Sequence, residues 1–439
     1  MLAENGGFIY GVNLPWFGKS NNRANVFGAS PFTGKNASYS ESEAGMALSN
    51  ISAIGFTSVR TWVFTGWGGT VIDGNNEIIG LTDDFISNLK SYLDLIRKNG
   101  LTVNLVIVPH MVQSVDADNQ IAAMHTVINE SATRSYIDNA LIPMLKAISG
   151  YQDCIIALDL YCEPEGDAKD TAGIDDENYP GRAEKLSDIT AFIKAESNAV
   201  KSIMPNMKCV VSSAYGQNKD KFATYDDYGI DIIGFDRYND VSDVTFKSGI
   251  ISEEIVSEFN DSMWITECNY KNNSVQDWSE EKFSDIIRNF YNNAKLGGYK
   301  ACYMWHYAAS YSLKTSLVEG KKDNLNYPDL SRLRLSAQLL HFDILDYNTD
   351  IKKISGNDVP AALINDDNTL LRWLGSRQAD YYQIEYKESG VWRLLEKIDS
   401  QQGKYLYEIS LKKDYELGNY PIRVVSYAGT NRRISNVIE

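Results

Sequence analysis

The sequence predicts an α/β fold in which a (β/α)8 TIM barrel is followed by a small all-β sandwich. The first ~345 residues alternate short apolar runs with segments of helical period, a pattern typical of parallel strands covered by helices. There are eight such runs, which matches the number of strands in a closed barrel of this kind. From about residue 354 the runs become short, aromatic and alternating, as expected for antiparallel strands.

The eight apolar runs are predicted to form the barrel strands. Short apolar runs that are bounded by turn residues are typical of parallel strands buried on both faces. In chain order the runs are Phe8–Leu14, Thr57–Phe64, Thr102–Val108, Ile155–Leu160, Met207–Ser212, Asp231–Phe235, Met263–Thr266 and Tyr299–Met304.

Helices are predicted between the runs from their start and stop signals. Ser40 precedes Glu43 by three residues, which is a capping-box spacing. Thr82 is predicted to cap a helix that continues to Lys98 and ends before Gly100. The other predicted helices span about Thr133–Ile148, Arg182–Ile203, Ser279–Leu296 and Leu330–Leu345. The long segments predicted to be loops are Gly18–Tyr39, Met111–Glu130 and Asp167–Pro180.

The C-terminal part is predicted to be a separate β-sandwich. Turn residues separate its aromatic, alternating runs, and this spacing is typical of a small sandwich. The predicted strands are Thr369–Leu374, Tyr381–Tyr386, Trp392–Ile398, Tyr405–Ile409 and Tyr420–Ser426. We therefore expect a barrel domain over residues 1–348 and a sandwich domain over residues 354–439.

The composition narrows the classes of partner. The formal net charge of -16 repels phosphate backbones, so we expect no nucleic-acid partner, and neutral sugars or small molecules fit better. No apolar run is long enough for a membrane span. The first residues lack a basic start followed by an apolar core, so no signal peptide is expected. The chain is then cytoplasmic as given, or secreted if a signal has been removed.

Cysteine and histidine usage argues against a metal site and against disulfides. An odd number of cysteines without close spacing, all in or beside apolar runs, predicts buried reduced thiols. These cysteines are Cys154, Cys162, Cys209, Cys268 and Cys302. With only four histidines in the chain, a histidine-rich metal centre is disfavoured. We expect neither a metal nor another cofactor.

Two glutamates follow predicted strands and are the candidate catalytic pair. Glu163 follows the fourth run and Glu267 follows the seventh. In a closed parallel barrel the carboxyl ends of the strands surround one cavity, so the two side chains are expected to converge there. Two facing carboxylates can hydrolyse a glycoside, one protonating the leaving oxygen while the other attacks the anomeric carbon.

Strand periodicity predicts the surroundings of this pair. With a period of two, Asp159, Tyr161 and Glu163 share one face of the fourth strand. A buried Asp159 needs a partner, and Arg60 is the candidate, so that the two would form a floor beneath the catalytic pair.

Aromatic and histidine side chains near the strand ends are candidates for substrate contact. The tryptophans that could offer a flat face to a sugar ring are Trp16, Trp62, Trp67 and Trp305. Trp16 and Trp62 are equally consistent with filling the barrel. His110 follows the third run and either lines the sugar subsite or is a capped loop histidine. His306 is expected to be structural or to support the residues that contact the sugar.

These motifs resemble those of family 5 of the glycoside hydrolases, and of clan A more broadly, over roughly residues 8–345. The motifs are SVRTW at 58–62, LDLYCEP at 158–164, GFDRY at 234–238, WITE at 264–267 and YMW at 303–305. The resemblance implies that Glu163 is the acid/base and Glu267 the nucleophile of a retaining enzyme. It also implies that Arg60 and Tyr238 support the nucleophile and that Trp305 is a sugar platform.

Two positions depart from the family pattern. Cys162 stands where the family has an asparagine that bonds the sugar 2-hydroxyl, and Asp236 stands where it has a histidine. Because a thiol is a weak donor, two readings remain open. The chain is a β-glycosidase with an altered C2 environment acting on β-mannan or β-glucan, or it is a weak or inactive barrel that binds glycans. Glu165 is the alternative candidate for the acid/base, although we expect it at the rim of the site or in a supporting position.

The C-terminal pattern resembles fibronectin type III. The resemblance is carried by Trp373 in an early strand, by YYQIEYKE at 381–388 and by YPIRVVSYA at 420–428. It implies a module that serves as a spacer or packing partner of the barrel.

Overall fold

The computed structural model describes much of the barrel and most of the C-terminal sheets. The residues described are 7–15, 27–32, 39–172, 179–214, 225, 228–239, 263–270, 280–296, 298–305, 318–321, 324–333, 340, 344, 361–364, 370–374, 379–401, 406–411, 420–429, 431–435 and 437.

Eight parallel strands close into a barrel, which confirms the predicted fold class. Each predicted run overlaps one of them, and strands that follow one another around the barrel are paired in parallel. The barrel strands are β1 (Ile9–Asn13), β2 (Ser58–Trp62), β5 (Thr102–Val108), β6 (Ile155–Cys162), β7 (Cys209–Ser213), β8 (Ile232–Asn239), β9 (Met263–Tyr270) and β10 (Ala301–Met304). Between β2 and β5 lies a short antiparallel hairpin, β3 (Thr70–Ile72) and β4 (Ile78–Leu81), which was not predicted.

Helices separate most of the barrel strands. They are α1 (Glu41–Ile54), α2 (Phe85–Lys98), α3 (Met111–Ser114), α4 (Ala117–Ile128), α5 (Glu130–Tyr136), α6 (Ile142–Ile148), α7 (Lys169–Ala172), α8 (Leu186–Ile203) and α9 (Glu280–Leu296). A π-helical turn, Ile137–Leu141, joins α5 to α6. The described part of the chain contains no helix that is long and apolar enough to cross a membrane.

Two helix starts can be compared with their predicted caps. Ser40 Oγ accepts a hydrogen bond from the Glu43 backbone N–H at 3.4 Å, as the capping-box spacing predicts. The predicted cap at Thr82 is wrong, because α2 begins at Phe85 and the Thr82 hydroxyl donates to Asp84 instead. Gly100 follows the helix with a φ of +67°, a left-handed conformation that favours glycine.

Two segments, and also the part of the predicted loop Asp167–Pro180 that forms α7, have a different structure from the one predicted. The predicted loop Met111–Glu130 is largely helical, because it contains α3 and α4. The predicted helix Leu330–Leu345 is wrong at its start, where an antiparallel pair forms from β11 (Val318–Lys321) and β12 (Asn324–Leu333). In the remainder of that segment the described residues, 340 and 344, are helical.

Side chains from six strands fill the lower barrel. They form one buried cluster of Ile9, Ala157, Val210, Ile232, Trp264, Ala301 and Tyr303. Tyr303 requires glycine at position 11, since a Cβ there would lie 2.2 Å from its ring. A packed interior of this kind closes the barrel from below, so chemistry is confined to its upper mouth.

The C-terminal part contains two antiparallel sheets that share one buried cluster. One sheet has the order β13 (Ala361–Ile364), β14 (Leu370–Leu374), β17 (Leu406–Ser410). The other has the order β16 (Val391–Asp399), β15 (Tyr381–Glu388), β18 (Ile422–Ala428), β19 (Asn431–Ile434). Trp373 and Tyr407 of the first sheet pack with Tyr382 of the second at ring distances of 4.7–5.6 Å. The predicted strands of this region are confirmed.

Candidate active site

Arg60 forms the floor of the barrel mouth. It lies on β2, and its side chain is fully buried. Its Nε donates to Asp159 Oδ2 at 3.0 Å, which is the pairing expected from strand alternation. Its Nη1 donates to Glu267 Oε1 at 2.7 Å and to Asn13 Oδ1 at 3.0 Å, and its Nη2 donates to Ser212 Oγ at 3.2 Å. One guanidinium therefore ties β2 to four other barrel strands directly beneath Glu267.

The charge of Arg60 is secured by the groups around it. Burial alone would lower the pKa of Arg60, but the charges of Asp159 and Glu267 raise it well above its ordinary value. The Ser212 hydroxyl bonds Asp159 as well as Arg60. A buried charge needs such partners, because an uncompensated ion in a dry interior is very costly.

Glu267 is held at both carboxylate oxygens. It lies on β9, with 5% of its surface exposed. Arg60 donates to Oε1, and Tyr238 Oη donates to Oε2 at 2.6 Å. Burial, and next the charge of Glu267, raises the pKa of the Tyr238 hydroxyl well above its ordinary value, so the hydroxyl keeps its proton. The guanidinium and the phenol therefore fix the orientation of the Glu267 carboxylate, with one donor at each oxygen.

Cys162 points into the mouth close to Glu267. Its Sγ lies 3.7 Å from Glu267 Oε1 and 3.5 Å from Asp236 Oδ2. The side chain packs in a cluster with Trp62 and Val106. Burial is the main cause that raises the pKa of the Cys162 thiol well above its usual range. The thiol therefore stays protonated, which argues against its use as a nucleophile.

A β-bulge in β6 corrects one expectation about this strand. The register with β7 shifts between Asp159 and Tyr161, so the simple alternation does not continue along β6. Tyr161 lies edge-on against Phe192 of α8, at a ring distance of 6.3 Å, and its hydroxyl donates to Asp167. The prediction that Asp159 and Tyr161 share a face is therefore wrong. Above Ala157, the residues of β6 that face the barrel interior are Asp159 and Cys162.

Glu163 follows the end of β6 in an unusual backbone conformation. Its φ of +52° and ψ of +52° place it in the left-handed region, which few residues other than glycine adopt. Its backbone N–H donates to Ser212 O at 2.7 Å, and its carbonyl accepts from the Gly166 N–H at 3.0 Å. These bonds fix the sharp turn, while the side chain remains partly exposed.

Glu163 belongs to the same mouth as Glu267. Its charge raises the pKa of Asp236, Cys162 and Tyr238, the groups that surround Glu267. The barrel thus brings together the two glutamates that the sequence separates by more than a hundred positions.

Glu165 has a structural environment. Its carboxylate is buried and accepts hydrogen bonds from Ser213 Oγ at 2.6 Å, Tyr225 Oη at 2.7 Å and the Ala214 N–H at 3.1 Å. Burial raises the pKa of Glu165 above its ordinary value against the opposing effect of these donors. The contacts attach the turn after β6 to the end of β7, which leaves Glu163 as the acid with access to the mouth.

His110 is paired with a buried carboxylate beside Glu163. Its Nδ1 contacts Asp167 Oδ1, and Asp167 Oδ2 also accepts from the Met111 N–H at 2.6 Å and from Tyr161 Oη at 2.7 Å. Burial alone would lower the pKa of His110, but Asp167, followed by Glu163, raises it above the usual value. His110 therefore carries positive charge more readily than a free histidine, and it faces the proposed acid/base.

The candidate tryptophans lie in different environments. Trp62 and Trp305 lie next to each other at the mouth, with ring centroids 5.4 Å apart and ring planes tilted by 36°. Trp305 is partly exposed, and its backbone carbonyl accepts from the Asn269 amide. Trp67 was wrongly considered as a sugar platform, because it is fully buried and its Nε1 donates to the Ala123 carbonyl. Trp16 lies outside the described residues, as does His306.

The cysteines are buried free thiols, as predicted. Cys268 and Cys302 have their sulfurs 3.5 Å apart, on the neighbouring strands β9 and β10. Within the described residues, the group whose atoms could jointly hold a metal ion is Cys162, Asp236 and Glu267, with ligand atoms within 4.8 Å of one another. Arg60 already donates a hydrogen bond to Glu267 Oε1, so a metal ion bound to this group would be repelled by the guanidinium.

Sequence reasoning missed three residues that organise the mouth. Asn13 joins Arg60 to the Thr266 carbonyl through its amide at 2.9 Å, Ser212 joins Arg60 to Asp159, and Asp167 pairs with His110. Asn13 and Ser212 are polar residues near the ends of apolar runs, and that position could have marked them as residues of the site. Asp167 lies in a segment that was predicted to be a loop, and no periodicity marks it.

Comparison with known proteins places the barrel among known folds. No protein-family model matches the chain, and no curated protein matches it. Its solved structural relatives include an endo-1,4-β-mannanase from Eisenia fetida, with a TM-score of 0.54, 19% identity, and coverage of 76% of this chain and 90% of that chain. A β-mannanase from the blue mussel Mytilus edulis has a TM-score of 0.51, 19% identity, and coverage of 68% and 87%. A β-glucosidase has a TM-score of 0.51, 10% identity, and coverage of 77% and 98%. The chain therefore has a (β/α)8 barrel fold that β-glycoside hydrolases also have.

Proposed function

We propose that the chain is a retaining β-glycoside hydrolase of the family 5 type that acts on a β-linked glycan such as β-mannan or β-glucan. The observation that carries the proposal is the environment of Glu267. Both of its oxygens accept hydrogen bonds from the barrel, from Arg60 and Tyr238, while Glu163 stands partly exposed in the same mouth. One fixed carboxylate and one accessible acid are what double displacement requires.

In the first step Glu267 is the nucleophile and Glu163 the acid. A carboxylate oxygen of Glu267 attacks the anomeric carbon and forms an ester bond, while the glycosidic bond to the leaving oxygen breaks. Glu163 transfers its proton to that oxygen, so the aglycone departs as an alcohol. Arg60 and Tyr238 hold Glu267 in place, which avoids the cost of orienting it during the reaction.

In the second step Glu163 acts as a base. It removes a proton from water, the water oxygen attacks the anomeric carbon, and the ester bond to Glu267 breaks. Two inversions at one carbon give net retention. The protonated His110 beside Glu163 favours the carboxylate that this step needs.

Trp62 and Trp305 are proposed to bind the sugar. Their neighbouring rings present an apolar surface at the mouth, where a pyranose face can stack. Cys162 lies between this surface and Glu267 and offers the substrate a thiol instead of an amide. We propose that these residues set which configuration at C2 is accepted.

The domain organisation remains part of the proposal. Residues 1–348 would form the catalytic barrel, and residues 354–439 would form a fibronectin type III-like module. The three-stranded and four-stranded sheets around Trp373 support a sandwich of this type.

Activity measurements on matched variants test the proposed function. Aryl β-glycosides and the polymers β-mannan, β-glucan and xylan would be assayed with the wild type, with Glu163→Ala and with Glu267→Ala. We expect the wild type to hydrolyse at least one substrate and both variants to lose that activity. Azide should rescue Glu163→Ala on a substrate with an activated leaving group and give a glycosyl azide of retained configuration. Glu196→Gln changes a buried acid on α8 away from the mouth and serves as the control.

Cys162 motivates a second candidate function. A thiol is a weak hydrogen-bond donor, so a barrel with this substitution could bind glycans without cleaving them. Absence of hydrolysis on every substrate, combined with retained binding to one of the polymers, would overturn the enzyme proposal and support this alternative. Hydrolysis that survives in Glu267→Ala would exclude the assignment of the nucleophile.

A further inference from the structure

Asp236 and Glu267 are direct neighbours on adjacent strands. Their Cα atoms are paired in the parallel register of β8 and β9, and a β-bulge between Phe235 and Asp236 sets this register. Both side chains are buried, with 6% and 5% of their surface exposed. Cys162 Sγ lies within 3.7 Å of an oxygen from each carboxylate. Two acids thus share one enclosed space, which is unusual unless one of them carries a proton.

The donors around the two acids are unequal. Glu267 receives the guanidinium of Arg60 at 2.7 Å and the phenol of Tyr238 at 2.6 Å. Asp236 Oδ1 accepts from the neutral hydroxyl of Thr266 at 2.7 Å, and its Oδ2 faces the Cys162 thiol. The contacts of Glu267 therefore stabilise a negative charge much better than those of Asp236, so a single proton is best placed on Asp236.

The groups that face Asp236 come from four strands. They are Arg60 on β2, Cys162 and, just beyond the end of the strand, Glu163 on β6, Tyr238 on β8 itself, and Thr266 and Glu267 on β9. Burial is the largest cause that raises the pKa of Asp236 well above its usual range, and the charge of Glu267 comes next. Arg60 opposes this shift, but its hydrogen bonds are directed to Glu267 and Asp159.

We propose that Asp236 is a positioning residue whose side chain must be uncharged for Glu267 to act as the nucleophile. With Asp236 neutral, Arg60 remains bound to Glu267, and the O–H of Asp236 is available to Glu267 or to a hydroxyl group of the bound sugar. With Asp236 ionised, a second carboxylate competes for Arg60 and repels Glu267. This inference rests on the nucleophile role proposed above for Glu267.

The pH dependence of Asp236→Asn tests the proposal kinetically. The substrate should be an aryl β-glycoside with an activated leaving group, because its first step needs no proton from Glu163 and kcat/KM then reports on Glu267 and its neighbours. We expect kcat/KM of the wild type to fall as the pH rises through the pKa of Asp236. An amide cannot ionise, so Asp236→Asn should keep its activity over that range. The same alkaline fall in both proteins would overturn the proposal.

A measurement of stability tests the proton without relying on activity. When folding raises the pKa of a carboxyl group, the protein loses stability as the pH rises from the unfolded-state pKa to the folded-state pKa. The reason is that the unfolded chain releases this proton first. The melting temperature of the wild type should therefore drop relative to that of Asp236→Asn over this interval. A difference in melting temperature that does not change with pH would overturn the proposal, even if Asp236→Asn is inactive.

The control variant is Glu196→Gln. Glu196 is a buried acid on α8 whose carboxylate accepts from Tyr136 Oη at 2.8 Å, and burial also raises its pKa well above the usual range. The Glu196→Gln substitution should change the pH dependence of stability, whereas the fall in kcat/KM at alkaline pH should be the same as in the wild type. If Glu267→Ala retains activity while the pH-dependent stability difference of Asp236→Asn persists, the proposed function fails and the protonated Asp236 stands.

Discussion

The two glutamates of the mouth are held in opposite ways. Glu267 lies within a strand, is almost fully buried, and receives a hydrogen bond at each oxygen. Glu163 lies just beyond a strand, adopts a left-handed backbone, and keeps its side chain partly exposed. The barrel fixes the carboxylate of Glu267, whereas around Glu163 it fixes the backbone and leaves the carboxyl accessible.

This difference matches the proposed division of labour. A nucleophile benefits from a fixed orientation and from donors that favour its ionised form. An acid that later becomes a base must exchange protons with the leaving group and with water, so it needs access more than restraint. The two halves of the site can be perturbed separately, and the following variants do so in order of decreasing effect.

Arg60→Met should have the largest effect, because it removes the cation beneath Glu267. The variant would leave Asp159 and Glu267 buried without their partner, a loss that typically costs about 3–5 kcal/mol of unfolding free energy. Activity should disappear as well. Urea denaturation measures the first effect. Arg60→Met combined with Asp159→Asn should recover part of the stability, and a double variant that is no more stable than Arg60→Met would contradict the role given to the pair.

Tyr238→Phe should weaken the nucleophile without unfolding the barrel. It removes the hydrogen bond to Glu267 Oε2, and hydrogen bonds to charged groups are worth about 1.5–3 kcal/mol, so kcat/KM should fall about 10- to 100-fold. Tyr136→Phe is the matched control, because it removes a Tyr–Glu bond to Glu196 away from the mouth. It should cost stability and leave kcat/KM unchanged. Equal kinetic losses in both variants would show that the effect of Tyr238 is not local.

Asp167→Asn tests the Glu163 side of the site. The variant should lose about 1–3 kcal/mol of unfolding free energy, because Asp167 accepts bonds from Tyr161 and from the Met111 N–H and pairs with His110. The pKa of His110 is raised in the fold, so its ion pair contributes fully below the ordinary histidine pKa of about 6.5 and is lost as the pH rises through the raised value.

The stability difference between the wild type and Asp167→Asn should therefore be larger at pH 6 than at pH 9. Chemical denaturation at several pH values measures it. A difference that stays constant over this range would mean that the charge of His110 does not depend on Asp167.

Cys162→Ala should have the smallest effect. The sulfur lies 3.5–3.7 Å from its acceptors, and a weak donor at such distances contributes little, so kcat/KM should change less than about tenfold. Cys162→Asn places a strong amide donor at the same position and should raise kcat/KM on β-glucosides. Steady-state kinetics on aryl glycosides decides both outcomes, and a large loss in Cys162→Ala would assign the thiol a role in the reaction.

Much of the scaffold of this site could be predicted from the sequence. The eight strands follow from apolar runs, because burial on both faces leaves a continuous signal. The Arg60–Asp159 pair follows from the rule that a buried charge needs a partner, combined with alternation along the strand. Both inferences depend on patterns within single strands, combined with general rules about burial.

The remainder depends on contacts that no local pattern encodes. The bulge after Asp159 changes the face of Tyr161, and a period of two cannot reveal one extra residue. Trp62 and Trp67 look alike in sequence, but one lies at the mouth and the other in the core beside α5, a difference set by how the chain turns after β2. Asp167 gains its role through a helix start some 55 positions away.

The bulge in β6 also bears on how this site can change over evolution or in design. One extra residue stands between Asp159 and Cys162, so the alternation of inward-facing and outward-facing side chains restarts there. The strand therefore has a lower and an upper segment. Substitutions in the lower segment alter the packing and the anchoring of Arg60, while those in the upper segment alter what the substrate meets. A single-residue deletion at Leu160 would remove the extra residue, so that Asp159 and Cys162 would share the inner face of one regular strand with Tyr161 between them on the outer face.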